Sequence, residues 1–302
     1  MKMNALVPFF MMLRLAVVLA AASFSILSSP ASAQDAAAIE RGKYIYTAAG
    51  CEGCHTDTKN KGEKLAGGRA LVTPFGTYYG PNITPDKTHG IGNWTDAQFI
   101  RALREGVSPS GEHYFPVFPY TSFSKLTDRD ILDLKAYIFS QPAVARADTP
   151  HDIKFPFGFR FTMIGWKMLF LDKGPLQPDP ARDAQWNRGA YLVRAAAHCG
   201  ECHTERNILG AVRKDRELGG SPTGPEGRSV PNITPHEKTH IGQWSVEEIA
   251  EVLSSGLTPD GDSVSNGMDE VVANTGKLTE DDRMAIAVFL KSLPPVAPPS
   301  KN

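Results

Sequence analysis

Cysteine is scarce in this chain of 302 residues, and none of its four cysteines lies outside two short motifs of the same form. Both motifs read Cys-X-X-Cys-His, and they occupy Cys51 to His55 and Cys199 to His203. No cysteine is therefore left for another role. A four-cysteine zinc site would have to bring the two pairs together from opposite halves of the chain, and neither histidine would then have an obvious task.

Long apolar runs are missing after Ala33, where no stretch offers the about 20 apolar residues that span a bilayer. A strong charge of either sign is missing too. The full chain carries 32 basic and 33 acidic residues, which argues against nucleic acid as a partner. No segment shows a sustained strand alternation either. We therefore expect a helical protein that is bound to a membrane at most peripherally.

The N-terminal residues have the pattern of an exported protein. Lys2 and Arg14 flank a start that is poor in polar residues, Leu15 to Leu27 is apolar, and Ala31-Ser32-Ala33 is a small-residue cleavage site. We predict that residues 1–33 are a signal peptide. The mature chain is then expected in the periplasm of a Gram-negative bacterium, either soluble or held at the inner membrane through a partner.

The spacing of Cys-X-X-Cys-His has a chemical reason. Two thiols three positions apart can each add to a vinyl group of one haem, and the adjoining histidine can ligate the iron. A redox dithiol and half of a zinc site are the alternatives for such a pair. Two copies with no cysteine to spare favour two covalently attached haem c groups, held by Cys51, Cys54, His55, Cys199, Cys202 and His203.

The chain is also a tandem repeat. Residues 81–85 and residues 231–235 both read Pro-Asn-Ile-Thr-Pro, and the match extends on both sides of them. We predict an all-α fold of two class I-like cytochrome c domains, at residues 34–142 and 187–302, joined by an ordered linker at residues 143–186.

Each repeat has the pattern of three helices. The first leads into the haem motif, over about residues 36–48 or 184–197. The second begins at a polar cap and ends at a glycine, and the third begins at a threonine cap. The predicted caps and stops are Thr95, Gly106, Thr127, Ser245, Gly256 and Thr279.

The linker is too apolar to be a flexible tether. It mixes four prolines with a block rich in phenylalanine that also contains Met163, Trp166 and Met168. We predict that it packs across both domains and fixes the distance between the haems. An exposed docking patch for a partner is the alternative.

A methionine thioether opposite the histidine closes the iron and raises its potential, which suits an electron carrier. In the second repeat Met268 follows Gly267 in a loop before the last helix, and we predict that it is this ligand. Met284 is the alternative, although its spacing is that of a helix core residue. The matching loop of the first repeat, residues 113–120, contains no methionine.

That loop resembles a pattern of the dihaem and trihaem c-type cytochrome subunits of bacterial membrane-bound dehydrogenases, such as the alcohol and gluconate complexes. In that family the loop commonly ends Tyr-Pro-Ala-Met-Pro-Tyr, and the methionine ligates the iron. Here residues 115–120 read Phe-Pro-Val-Phe-Pro-Tyr, so Phe118 stands where the family has methionine. Residues 174–180 and 186–191 are also similar to the family.

Phenylalanine cannot bind iron, so the first haem is either five-coordinate or takes another ligand. His113 and an open site are the leading alternatives, and Tyr114, Tyr120 and Met163 are the others. Bis-histidine ligation through His113 would lower the potential of the first haem relative to the second.

The resemblance implies an electron-transfer protein or dehydrogenase subunit rather than an enzyme. Electrons would pass from a periplasmic or membrane-bound dehydrogenase toward the respiratory chain, with quinone, an oxidase or another cytochrome as acceptor. The third haem module of the trihaem members has no counterpart here, so we expect a shuttle or intermediate carrier. The alternative is a haem enzyme acting on peroxide or a sulfur oxyanion, or a gas-binding module, at an open haem in the first domain.

Overall fold

The computed structural model describes residues 30–265 and 267–297 of the chain. The predicted signal peptide lies outside the described residues, except for its last positions from Pro30 onward, which begin the first helix. Among the described residues, those from Ala38 onward form one compact unit that contains both repeats, and residues 30–37 belong to a separate unit. In the described ranges no helix has the length and the apolar character needed to cross a membrane.

The first half and the linker contain helices α1 to α6. Their bounds are α1 Pro30–Ala48, α2 Cys51–His55, α3 Asp96–Glu105, α4 Tyr120–Phe123, α5 Asp128–Phe139 and α6 Thr162–Phe170. The second half contains helices α7 to α12. Their bounds are α7 Ala184–Tyr191, α8 Gly200–His203, α9 His240–Gln243, α10 Val246–Ser255, α11 Met268–Thr275 and α12 Glu280–Lys291. Helix α7 continues as a π-helical turn over Leu192–Ala196.

The helix ends follow local chemistry that the sequence predicts. At all four predicted N-caps the side-chain oxygen accepts a hydrogen bond from the backbone N–H three residues on; the caps are Thr95, Thr127, Ser245 and Thr279. Thr95 and Ser245 form complete capping boxes, because the side chains of Gln98 and Glu248 accept from the cap N–H in return. The two predicted glycine stops are confirmed as well, at Gly106 and Gly256, with φ of 61° and 78°.

The prediction of an all-α fold is wrong, because the structure contains a three-stranded antiparallel sheet in the order β1-β2-β3. The strands are β1 Ala70–Thr73, β2 Gly76–Tyr79 and β3 Asp152–Ile153, with Ala70 paired to Tyr79 and Gly76 paired to both Thr73 and Ile153. None of these strands is longer than four residues, so their alternation is too short to detect. The third strand comes from the linker, and only tertiary contact defines it.

Glycines allow the first and last helices of each half to cross closely. A Cβ on Gly42 of α1 would lie 1.8 Å from the carbonyl oxygen of Asp133 in α5, and a Cβ on Gly189 of α7 would lie 2.0 Å from that of Ala285 in α12. Any side chain at these two positions would push the helices apart. Apolar side chains from both halves then form one continuous core.

The linker packs against both halves. Asn82 of the first half donates hydrogen bonds to the carbonyl oxygens of Val144 and Arg146, at 2.8 and 2.9 Å. In helix α6, Trp166 Nε1 donates to the carbonyl oxygen of Leu209 in the second half at 2.9 Å. These contacts connect the two repeats through an ordered segment.

Candidate haem sites

The first Cys-X-X-Cys-His motif forms the short helix α2, and its histidine is held from behind. His55 Nδ1 donates a hydrogen bond to the carbonyl oxygen of Pro81 at 2.8 Å. Because a carbonyl can only accept, the proton lies on Nδ1, and Nε2 keeps its lone pair for a metal. Gly80 permits the close approach, since a Cβ there would lie 1.9 Å from the carbonyl oxygen of Cys54.

The second motif repeats this geometry. His203 Nδ1 donates to the carbonyl oxygen of Pro231, also at 2.8 Å. Burial lowers the pKa of both His55 and His203, which keeps the imidazoles in the neutral form that ligates iron. The two prolines open the repeated Pro-Asn-Ile-Thr-Pro segments, so these segments support the histidines. This role was not predicted from the sequence, although the identical placement of the segments in both repeats was the available signal.

The thiols do not have the character of a redox dithiol. Burial raises the pKa of Cys51 and Cys199 to about 12. A reactive Cys-X-X-Cys pair needs a lowered thiol pKa. Within residues 30–265 and 267–297, no group of three or more Cys, His, Asp and Glu side chains is placed to hold a metal ion, so the zinc alternative has no site there. Thioether attachment with histidine ligation fits the residues present.

Each motif contacts a short helix of the other half. Glu201 in α8 accepts hydrogen bonds from Thr121 Oγ1 at 2.8 Å and Ser122 Oγ at 2.9 Å, both in α4 of the first half. In the reverse direction, a Cβ on Gly53 in α2 would lie 3.6 Å from Glu270 Oε2 in α11 of the second half. Helix α4 follows the Phe118 position and α11 begins at Met268. The two motifs are therefore brought together in a crossed arrangement.

Two tyrosines reinforce this arrangement in the same crossed way. Tyr44 Oη in the first half donates to Asp282 Oδ2 in α12 at 2.5 Å. Tyr191 Oη in the second half donates to Asp130 Oδ2 in α5. Both tyrosines occupy the same position of the repeat, but the sequence did not reveal that each one bonds to the opposite half.

Met268, the predicted ligand of the second iron, begins helix α11 rather than lying in a loop. Asp269 Oδ1 accepts from the backbone N–H of Gly267 at 2.9 Å, and Gly267 has a φ of 94°, so a helix starts directly after the glycine. The Met268 side chain is half-buried and packs against the main core. Met284 lies inside α12 and packs against the same core.

The surroundings of Phe118 are aromatic. The Phe118 ring lies 5.7 Å from the rings of both Tyr114 and Phe123. Tyr120 Oη is buried and has no hydrogen-bond partner among the described residues, which leaves a polar atom for a bound group to satisfy. The Nδ1 atom of His113 does not contact this aromatic cluster, because it lies 3.1 Å from the Nζ atom of Lys167.

Lys167 is a further residue that sequence reasoning missed. It lies in α6, is only 8% exposed, and donates to the carbonyl oxygen of Gly106 at 2.6 Å. Burial lowers its pKa to about 8, so the amine is still mostly charged at neutral pH. The pKa of His113 is lowered mainly by burial of its ring, and the positive charge of Lys167 lowers it further.

An apolar surface runs along the outside of the linker. Its side chains are exposed to a degree that is unusual for large hydrophobic residues: 86% for Phe155, 69% for Phe161, 82% for Met168 and 71% for Leu169. Ile208 of the second half is 93% exposed and lines the same cleft as Leu169. We call these five residues the outer apolar surface.

Comparison with known proteins agrees with the motif geometry, which is that of a c-type cytochrome. A family profile described as Cytochrome c matches residues 39–142. A protein of Cereibacter sphaeroides described as "Diheme cytochrome c-type" is 47% identical over 265 residues, which are 85% of this chain and 86% of that protein. The chain belongs to this family of dihaem c-type cytochromes.

Other relatives are named as subunits of dehydrogenases. The fructose dehydrogenase cytochrome subunit of Gluconobacter japonicus is 39% identical over 88% of this chain and 54% of the relative. The cytochrome c subunit of the alcohol dehydrogenase (quinone) of Gluconacetobacter polyoxogenes is 38% identical over 96% of this chain and 64% of the relative. This chain thus spans between half and two thirds of those two subunits.

Proposed function

We propose that this protein is a periplasmic electron carrier that takes electrons from a dehydrogenase and passes them toward the respiratory chain through two haems in series. The crossed packing of the two motifs carries this proposal. Because Glu201 of the second motif accepts hydrogen bonds from helix α4 of the first half, the two attachment turns belong to one compact unit. Haem c then supplies the redox chemistry, and the protein supplies spacing and burial.

We assign one covalent haem c to each repeat. Cys51 and Cys54 would form the thioethers of the first haem, with His55 as its proximal ligand. Cys199, Cys202 and His203 would play the same parts for the second. The hydrogen bonds from the histidine Nδ1 atoms to Pro81 and Pro231 support this assignment, because they orient each ring and leave Nε2 for iron.

We further propose that Met268 completes the coordination of the second iron. Its half-buried thioether begins a helix that packs beside the first motif, and a methionine ligand suits a carrier of relatively high potential. The domain limits that we assign are residues 34–142 and 187–302, with residues 143–186 as the connecting linker and residues 1–33 as the exported leader.

The outer apolar surface is the face that we propose for the dehydrogenase partner. Exposed aromatic and methionine side chains are enriched in the centres of protein interfaces, and a partner subunit would remove them from water. The relatives that are named as dehydrogenase subunits support a partner of this class. We leave quinone, an oxidase and another cytochrome as alternatives for the acceptor.

The test uses the oxidised holoprotein and the catalytic subunit of the dehydrogenase that copurifies with it. Addition of that subunit with its substrate should reduce both haems, and omission of the catalytic subunit should abolish the reduction. Turnover of the substrate by the cytochrome alone would contradict the proposal, as would a failure of either haem to become reduced.

A further inference from the structure

The loop at residues 113–120 offers no methionine to the first iron. Phe118 has no donor atom, and its ring is enclosed by Tyr114 and Phe123. The side chains named from the sequence as possible donors to this iron are His113, Tyr114, Tyr120 and Met163.

The contacts of His113 disfavour it as a ligand of the first iron. The Lys167 ammonium donates toward His113 Nδ1 at 3.1 Å, so the proton of the neutral imidazole lies on Nε2. Nε2 is then without the lone pair that iron needs. The backbone of His113 is fixed as well, because it forms a β-bridge with Val107 and its carbonyl oxygen accepts from Arg160 Nη1 at 3.1 Å.

The tyrosines are also poor candidates. Phenols bind ferric iron as phenolates, but burial raises the pKa of Tyr114 to about 12 and raises that of Tyr120 further. Among the described residues, no cation contacts the phenol oxygen of either tyrosine, so no such contact offsets the loss of solvation of a phenolate. Lys167 lies over the face of the Tyr120 ring, 4.8 Å from its centre.

Helix α6 presents one of its faces to the same loop. Arg160, just before the helix, donates to His113, and Lys167 donates to Gly106. Met163 lies three residues after Arg160 and four before Lys167, so it occupies the same face, between the two contacts. The opposite face is in water, with Ile164 49% exposed and Met168 82% exposed.

We propose that Met163 is the sixth ligand of the first haem iron, supplied by the linker in place of the missing loop methionine. The Met163 side chain is partly buried and packs against the cluster formed by Tyr120, Trp166 and Ala211, against which Phe118 and Tyr114 also pack. Its position resembles that of Met268, because both methionines lie in the first turn of a short helix. The linker is then part of the first haem site.

This proposal rests on the proposed function only in requiring that both haems are attached. The mass of each purified holoprotein variant, which reports covalent haem, separates the two ideas. If the mass shows two haems and Met163 has no effect, the ligand assignment fails while the carrier assignment stands.

The experiment compares Met163→Leu with Met168→Leu, an exposed methionine of the same helix, in the ferric holoprotein. Methionine sulfur bound to ferric haem gives a weak far-red absorption band. We expect Met163→Leu to remove about half of the band, to lower one midpoint potential, and to let carbon monoxide bind one ferrous haem. Met168→Leu should match the wild type in all three measurements.

A second variant keeps the proposal testable if Met163→Leu disturbs the fold. Met163→His supplies another ligand at the same place, so it should restore a low-spin haem that ignores carbon monoxide, with a potential below that of the wild type. An unchanged far-red band in Met163→Leu would overturn the proposal. So would a wild-type protein that already binds carbon monoxide at the first haem.

Discussion

Glu201→Gln tests how strongly the second haem motif is fixed to the distal helix of the first half. The Glu201 side chain is 11% exposed and accepts hydrogen bonds from Thr121, Ser122 and Arg206, at 2.8, 2.9 and 2.6 Å. The pKa of Glu201 lies below its ordinary value because Arg206 and these hydrogen bonds outweigh the opposing effect of burial. The group is therefore charged and paired.

Loss of this charge should cost about 2 kcal/mol of unfolding free energy. This is less than the about 3–5 kcal/mol of a fully buried ion pair, because the Arg206 side chain is 35% exposed. Denaturant unfolding of the holoprotein at pH 7 measures the loss. Glu52→Gln is the matched control, because Glu52 in the first motif is 49% exposed and lies 3.6 Å from Lys64, so its loss should cost below about 1 kcal/mol.

The effect has a defined pH dependence. Because the folded-state pKa of Glu201 is depressed below the ordinary value of 4.5, its stabilising effect is complete above that value and is lost as the pH falls through the folded-state pKa. The difference between the wild type and Glu201→Gln should therefore shrink in acid. Equal losses for Glu201→Gln and Glu52→Gln at pH 7 would refute the crossed packing as a source of stability.

Three further predictions follow from the same contacts. Tyr44→Phe and Tyr191→Phe should each lower the unfolding free energy by about 1–2 kcal/mol, because each removes a hydrogen bond to a carboxylate of the opposite half; an unchanged unfolding free energy in denaturant would contradict this. Met268→Ala should lower the potential of the second haem and remove its share of the far-red band, whereas an unchanged redox titration and spectrum would exclude Met268 as ligand. Phe155→Ser combined with Phe161→Ser should slow reduction by the dehydrogenase while leaving both haem potentials unchanged, and an unchanged rate would place the partner elsewhere.

Local signals in the sequence predicted much of the fold. Helix caps and stops depend on neighbouring residues alone, so they can be predicted from the sequence. The structure confirms the caps at Thr95 and Ser245 and the stop at Gly106. The small sheet was missed because none of its strands is longer than four residues, and because its third strand pairs Asp152 and Ile153 with residues more than 70 positions earlier, a contact that no local pattern predicts. The all-α expectation failed for these reasons.

The two motifs could be recognised for a similar reason, because each consists of five consecutive residues. The surroundings of the haem sites could not be predicted from the sequence. The support of His55 by Pro81 and the burial of Lys167 against Gly106 both join residues that are distant in sequence. The missing methionine at Phe118 was visible in the sequence, but only the fold shows that Met163 faces the same loop.

Pulse radiolysis of the fully oxidised holoprotein tests the central claim that the two haems form one electron path. A single electron delivered per molecule should first reduce the more accessible haem and then redistribute to the other at a rate that does not depend on protein concentration. A variant without the second attachment site, Cys199→Ala with Cys202→Ala, should show the first phase alone. Redistribution that accelerates in proportion to protein concentration, or no redistribution at all, would contradict the account.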